Sequence, residues 1–192
     1  MKQYNGFSRN DVFKDQERLP AGGYVLKIED VQYQEDKWGD VIKLSFDIAE
    51  GEHKNYYSEQ YRSQTGEDKK WKGTYRLRVP KDDGSEQDKW TKKRFNTAIV
   101  NFEESNPGFH WDWNELSLKG RFIGAVFNNK EYEFEGRHGF FTNCYNLVSV
   151  EKIRSGKFEI PPDTLLKKDG QKGSDGNDFV PVADGMDDLP FS

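Results

Sequence analysis

The 192-residue sequence predicts a mainly β fold with one helix inserted among its strands. Three observations support this prediction. Three strand-like segments precede a helical segment. Two more strands follow the helix. In the first strand, the alternation of apolar and polar residues shifts by one position. Such a slip is typical of a β-bulge, which lets a strand bend around a small barrel. This order is that of the OB-fold, a five-stranded Greek-key barrel with one helix between strands three and four.

Alternating apolar residues predict the first two strands. From Tyr24, even-numbered residues share one face until the phase changes at Val31, and residues 36–40 then predict a hairpin turn. The second strand has an apolar face formed by Ile42, Leu44, Phe46 and Ile48. Its other face carries Lys43 and is expected to point outward.

The middle of the chain predicts a third strand over residues 55–61 and an additional short strand over residues 74–79. A helix is predicted over residues 89–105 and ends at Asn106-Pro107-Gly108. Its apolar face is formed by Phe95, Ala98, Ile99 and Phe102, which are spaced i, i+3, i+4 and i+7.

The last two strands are predicted over residues 119–128 and 143–153, with an extra hairpin over residues 130–141 between them. Pro161-Pro162 marks the expected end of the folded part. The chain is thus divided into an N-terminal arm (1–18), an OB-fold domain (19–162) and a flexible acidic tail (163–192).

The composition supports a folded domain, because aromatic residues reach 15% although only 33% of residues are hydrophobic. Disordered chains are poor in aromatic residues. A single cysteine, Cys144, excludes an internal disulfide and fits a reducing compartment. No signal sequence and no apolar run of membrane-spanning length is present, so a cytoplasmic protein without a membrane partner is expected.

The C-terminal segment 173–192 contains five acidic residues and no Lys or Arg. The net charge of −5 resides there, because residues 1–172 carry equal numbers of acidic and basic side chains. A segment with so few apolar groups is expected to be disordered. An apolar tip beside carboxylates is typical of a segment that binds a pocket on another protein. The predicted protein-binding residues are Asp187, Asp188, Leu189, Pro190 and Phe191.

Catalysis is not expected, and no cofactor or metal site is predicted. The three histidines are scattered, and the sequence has no nucleophile elbow, P-loop, zinc signature or dinucleotide-binding fingerprint. Carboxylate pairs such as Asp82-Asp83 are common, but in a chain that is 33% charged they are usually solvated surface.

Cationic and aromatic residues interleave between residues 55 and 78, which favours binding of single-stranded nucleic acid. Cations follow the phosphates, while flat rings stack on exposed bases. The hairpin turn at residues 36–40, the outer face of strand two and the connection between the last two strands are expected to add to the same surface. The predicted nucleic-acid-binding residues are Trp38, Lys43, Tyr57, Tyr61, Arg62, Lys70, Trp71, Lys72, Tyr75, Arg76, Arg78, Arg137 and Phe140.

For most of these rings, packing in the core is an equally good interpretation. Trp71 is the exception. Its neighbours in the sequence are lysines and offer few apolar groups to pack against, so Trp71 is expected to be exposed. Trp111 and Trp113 are expected to cap the barrel. The basic run 92–94 is expected to be a solvated helix face.

Several motifs resemble those of phage and prophage single-stranded-DNA-binding proteins of Gram-positive hosts, and the resemblance covers most of residues 19–165. The matching motifs are LPAGGY (19–24), FDIAEG (46–51), FEESN (102–106) and LKGR (118–121). The tail MDDLPF (186–191) is similar to the acidic tip of bacterial single-stranded-DNA-binding proteins, except that Ser192 follows the Phe.

The resemblance implies an OB-fold that coats single-stranded DNA during phage replication or recombination in the host cytoplasm, and it is compatible with homo-oligomers. It also implies that the tail recruits replication, repair and recombination proteins. Two alternatives stay open. One is a phage protein-interaction factor whose acidic surface mimics DNA and acts on a host enzyme. The other is a carbohydrate-binding β-domain that stacks rings on sugars.

Overall fold

The computed structural model describes residues 17–37, 39–134 and 136–166. The fold is mainly β, as predicted, and consists of one five-stranded antiparallel open sheet with few helices. The strands are β1 (Gly22–Gln34), β2 (Val41–Ile48), β3 (Thr74–Arg78), β4 (Phe122–Phe134) and β5 (Arg137–Val148). Their order across the sheet is β3-β2-β1-β4-β5, so β3 and β5 are the two edge strands.

In the described part of the chain, three helices accompany the sheet: α1 (Tyr56–Ser63), α2 (Glu86–Ser105) and α3 (Val150–Arg154). A short 3-10 helix spans Glu115–Leu118. The core lies between the inner face of the sheet and α2, and Phe46, Phe102 and Phe127 are its largest fully buried side chains. Within the described part of the chain, no helix is long and apolar enough to cross a membrane.

The bulge predicted in the first strand is confirmed. The register of β1 against β2 shifts between Ile28 and Asp30. Ile28 lies opposite Phe46 and Val31 lies opposite Leu44, so both residues of β1 are buried although they differ by three positions. The change of phase therefore keeps apolar side chains on the inner face on both sides of the bend.

The predicted third strand over residues 55–61 is wrong, because this segment forms helix α1. Asn55 adopts a left-handed backbone (φ 64°) and makes no side-chain cap. Asp47 of β2 takes over that role: its buried carboxylate accepts hydrogen bonds from Tyr57 N at 2.9 Å and Ser58 N at 3.1 Å. A cap supplied by a neighbouring strand cannot be recognised in the local sequence. The third strand of the sheet is instead the short one predicted near residues 74–79.

Helix α2 starts at Glu86, three residues before the predicted position. Ser85 caps it, because its hydroxyl accepts a hydrogen bond from Asp88 N at 3.1 Å. The predicted apolar face is confirmed, since Phe95, Ala98, Ile99 and Phe102 are all buried.

The last two strands are longer than predicted, because β4 and β5 continue through residues 130–141 as one long hairpin. The strand predicted over residues 143–153 ends at Val148, and α3 follows it. After Pro162 the chain stays attached to β4, because Thr164 N donates to Asn129 O and Glu131 N donates to Thr164 O, both at 2.8 Å.

Candidate nucleic-acid interface

A groove of about 610 Å³ is lined by residues from both edge strands of the open sheet. One wall is the beginning of β3, the opposite wall is β5, and α1 and the segment before β1 close the remaining sides. We call it the seam groove. Its lining residues are Arg18, Leu19, Phe46, Tyr56, Tyr57, Gln60, Ser63, Gln64, Thr65, Lys72, Thr74, Tyr132, Phe140, Phe141, Thr142, Asn143 and Cys144.

The segment before β1 connects the two sides of the seam groove. The Tyr56 hydroxyl of α1 accepts a hydrogen bond from Leu19 N and donates one to Glu17 O, both at 3.1 Å. On the other side, Arg18 Nη1 donates to Phe140 O of β5 at 3.1 Å, and the Thr142 hydroxyl donates to Leu19 O. Burial raises the pKa of Tyr56 above its ordinary value, so this hydroxyl keeps its proton near neutral pH.

The seam groove combines aromatic rings, amides, hydroxyls and two cations, Arg18 and Lys72. Acidic residues make up 34 of the 192 residues of the chain, yet none of the seventeen described residues that line the groove is acidic. Gln60 Oε1 is buried and has no hydrogen-bond partner among the described residues, which leaves an acceptor for an N–H group of a ligand. Such a lining suits a planar, anionic ligand.

The distal half of the β4–β5 hairpin has two chemically different sides. Residues directly opposite each other in an antiparallel pair point to the same side, and successive residues alternate. One side carries cations and rings: Lys130, Tyr132, Phe134, Arg137, Gly139 and Phe141. The other side carries Glu131, Glu133, His138 and Phe140, with a hydrogen bond between the His138 and Glu131 side chains.

The rings on the cationic side of the hairpin are held by their neighbours. Lys130 Nζ lies 5.8 Å from the centroid of the Phe141 ring, and Tyr132 lies 6.3 Å from the same ring. A Cβ atom at Gly139 would lie 3.0–3.2 Å from atoms of the Tyr132 side chain. The absence of a side chain at position 139 therefore lets Tyr132 lie across the neighbouring strand, between the seam groove and the tip of the hairpin.

A row of cations continues from the seam groove along the outer side of β3. Thr74 lines the groove, and alternation puts Arg76 and Arg78 on the same side of the strand. Lys43 of β2 lies directly opposite Arg76 and therefore faces the same way. Arg76 Nη2 also forms an ion pair with Asp36 at 3.2 Å, which holds the guanidinium in place and neutralises part of its charge.

Two of the predicted binding rings do not lie on this outer surface. Tyr57 is only 7% exposed and packs edge-on against Phe46 in the core, so the prediction that it stacks on a base is corrected. Tyr75 lies opposite Leu44 and therefore faces the inner side of β3, away from Arg76. Alternation requires one parity of each strand to face the core, and Tyr75 belongs to that parity.

Trp71 is partly buried, which corrects the expectation that it is exposed. Its indole N–H donates to Phe46 O and Gly73 O, both at 3.1 Å, and its ring packs against the core. Tyr61 lies 5.8 Å from the Trp71 ring and is 37% exposed. The lysines beside Trp71 in the sequence therefore do not indicate its surroundings in space.

The other predicted residues are exposed, line the seam groove or lie outside the described residues. Arg62 at the end of α1, Lys70 in the following loop and Arg137 at the hairpin tip are exposed. Lys72 and Phe140 line the seam groove. Residues that lie outside the described part of the chain are Trp38, Asp187, Asp188, Leu189, Pro190 and Phe191.

Sequence reasoning did not assign Arg18, Gln60 and Tyr132 to the site. Lys130, Tyr132 and Phe134 alternate with two glutamates in the sequence, and this pattern could have predicted a hairpin with one cationic, aromatic side and one acidic side. No local signal marks Arg18, because its role depends on a strand more than 120 residues away.

Trp111 and Trp113 are not equivalent, which corrects the expectation that both cap the barrel. Trp111 packs edge-on against Phe95, with ring centroids 6.2 Å apart. Trp113 is 81% exposed and lies 6.3 Å from the Trp111 ring on its outer side.

No group of three His, Cys, Asp or Glu side chains among the described residues is arranged to hold a metal ion. Cys144 lies at the bottom of the seam groove, and burial raises the pKa of its thiol far above the usual range. A thiol that stays protonated is a poor nucleophile.

A comparison with known protein families and with curated protein sequences finds no match to the chain. The residues of the site and their geometry are therefore the basis for assigning a function.

Proposed function

We propose that this protein binds single-stranded DNA without reading its sequence, and that the strand lies in the seam groove. Bases would stack on the rings of Tyr132 and Phe141, and phosphates would lie near Arg18 and Lys72. The strand would continue past the groove along the outer row formed by Lys43, Arg76 and Arg78. No chemical reaction is involved, and no cofactor is required.

The observation that carries this proposal is the absence of carboxylates among the described residues of the groove lining, in a chain rich in acidic residues. A carboxylate beside a phosphate costs binding energy, whereas each stacked base contributes about 1–3 kcal/mol. Base stacking does not depend on which base is present, because every base has a flat face. A groove of this kind therefore favours an unpaired strand of any sequence.

The arrangement of the strands supports a finer interpretation of the fold. We propose that the sheet is an OB-fold barrel that is open along the seam between β3 and β5. The pairings of β1 with β2 and β4, the bulge in β1 and the position of α2 between β3 and β4 agree with this interpretation. In an OB-fold the face of strands two and three and the connection between strands four and five bind the ligand. Here these parts are the cationic row and the hairpin.

The biological role that we propose is coating of single-stranded DNA during phage replication or recombination in the cytoplasm of a bacterial host. It rests on the resemblance of the sequence motifs to phage single-stranded-DNA-binding proteins. The acidic C-terminal tail would then recruit replication, repair and recombination proteins through Asp187, Asp188, Leu189, Pro190 and Phe191.

The full chain should bind a fluorescently labelled oligo-dT tightly at low salt and should lose affinity as salt is added. If three to five of the cations at Arg18, Lys43, Lys72, Arg76 and Arg78 contact phosphates, the slope of log K against log salt should be about −2 to −3.5. The measurement is fluorescence anisotropy of labelled dT, dA and duplex oligonucleotides at several salt concentrations.

The two single strands should bind within about tenfold of each other, and the duplex should bind more weakly because its bases are not free to stack. Absence of dT binding at low salt would contradict the proposal and favour the DNA-mimic alternative. Binding with no salt dependence would contradict the assigned role of the cations.

A further inference from the structure

Trp113 is the most exposed large apolar side chain among the described residues, at 81% of its accessible surface. An indole contributes a large apolar area, and proteins rarely leave it in water without a reason. Leu116, three residues later, is 58% exposed. Together with Asp112 and Glu115 these residues form what we call the Trp113 surface.

The backbone holds the Trp113 ring in place despite its exposure. Its φ of 63° lies in the left-handed region, which is unfavourable for a residue with a bulky side chain. Asp112 Oδ1 accepts a hydrogen bond from Asn114 N, and Asn114 Oδ1 accepts one from Leu116 N, both at 3.1 Å. The ring also lies beside Trp111, whose backbone N–H donates to Glu103 Oε1 at 2.9 Å. These contacts order the backbone on both sides of Trp113 and leave its ring exposed beside Trp111.

The charge beside Trp113 is negative. Asp112 and Glu115 flank it in the sequence, and the nearest lysine, Lys119, is already ion-paired with Asp30 at 3.0 Å. Carboxylates repel phosphates, so this surface does not suit DNA or the acidic tail of the chain. It suits a partner that presents an apolar centre with cations around it.

The chain itself carries such a partner surface on α2. Trp90 is 36% exposed, and the Arg94 guanidinium stacks on its ring at 4.7 Å. Lys93 and Val100 are exposed on the same helix, and there is no acidic residue between Lys89 and Phe102. We call Trp90, Lys93, Arg94 and Val100 the Trp90 surface. It is apolar and cationic where the Trp113 surface is apolar and acidic.

The charges of the two surfaces are complementary. Trp113 lies 6.3 Å from Trp111, which packs against Phe95 of α2, whereas Trp90 lies beside the Arg94 guanidinium. Both Trp113 and Trp90 keep exposed surface that a second copy can cover. We propose that the Trp113 surface of one copy binds the Trp90 surface of a second copy.

Contacts between two different surfaces repeat head to tail and build an open chain of copies rather than a closed symmetric dimer. Neither surface includes a residue that lines the seam groove. The association therefore needs no DNA and does not depend on the proposed function.

The test is sedimentation analysis of the full chain without DNA, at low salt and over a range of micromolar concentrations. The weight-average mass should rise with concentration beyond that of a dimer, and added salt should reduce it because the charges are screened. Trp113→Asn should weaken the association at least about tenfold, since buried tryptophans dominate interface energies. Asn tolerates the left-handed backbone, so this variant should remain folded. Leu165→Asn, at a residue that is 63% exposed and belongs to neither surface, is the matched control and should associate normally.

Two substitutions decide between a head-to-tail contact and a symmetric one. Trp113→Asn disrupts the acidic surface only, and Arg94→Glu disrupts the cationic surface only, so each variant alone should be monomeric. When they are mixed, the intact surfaces should pair and form a dimer that stops at two copies. A wild-type chain that stays monomeric at all concentrations, or a mixture that does not pair, would overturn the proposal.

Discussion

Replacing Asp47 with Ala should lower the free energy of unfolding by roughly 2–4 kcal/mol. The carboxylate is 4% exposed and accepts hydrogen bonds from three backbone N–H groups, those of Ile48, Tyr57 and Ser58, and from the Ser58 hydroxyl. Without it the first turn of α1 has no cap, and several donors lose their partner. Thermal denaturation followed by circular dichroism should show the midpoint falling by roughly 5–15 °C.

Asp47→Asn is the matched control, because it keeps the shape and one of the two accepting oxygens. It should cost about 1–2 kcal/mol, less than the alanine variant. Since α1 forms a wall of the seam groove, the alanine variant should also bind oligo-dT more weakly. An Asp47→Ala protein as stable as the wild type would show that the carboxylate does not hold α1 in place.

Replacing Phe141 with Ala should weaken oligo-dT binding by about 5-fold to 150-fold, the range that corresponds to loss of one stacked base at about 1–3 kcal/mol. The Phe141 ring lines the seam groove between Lys130 and Tyr132. Fluorescence anisotropy with labelled oligo-dT measures the change. The salt slope should stay constant, because the substitution removes a ring and not a charge.

Phe122→Ala removes the same kind of ring from the other end of β4 and serves as the control. Phe122 is 40% exposed. Lys130, which lies opposite Phe141, follows Phe122 by eight residues, and this spacing corresponds to about 26 Å along β4. Its substitution should leave the affinity unchanged. Equal losses in the two variants would mean that Phe141 acts through stability and not through contact with DNA.

The parts of the fold that depend on local patterns could be predicted from the sequence. The phase change near Val31 predicted the bulge in β1, and the i, i+3, i+4, i+7 spacing predicted the buried face of α2. The segment 55–61 could not be predicted, because its helix is capped by Asp47 from another strand. Its aromatic residues suit a strand equally well, and the hydrogen bonds to Asp47, ten residues before Tyr57, favour the helix.

The candidate site was predictable only in part. Lys43, Arg76 and Arg78 follow from alternation along single strands, and the structure puts them on one side of the sheet. The seam groove joins residues that are far apart in the sequence, such as Arg18 and Phe140, and no local pattern brings them together. Two tryptophans show the same limit. Trp71, which stands among lysines in the sequence, packs on the core. Trp113, which was expected to cap the barrel together with Trp111, is exposed.

Photo-crosslinking tests the central claim most directly, because it identifies the residues that touch the bound strand. An oligo-dT with 5-iodouracil in place of single thymines would be irradiated with the full chain, and the adducts would be mapped by mass spectrometry. Adducts should form at the rings of the seam groove, chiefly Tyr56, Tyr132 and Phe141. Adducts confined to Trp90, Trp113 or other rings outside the groove would contradict the account.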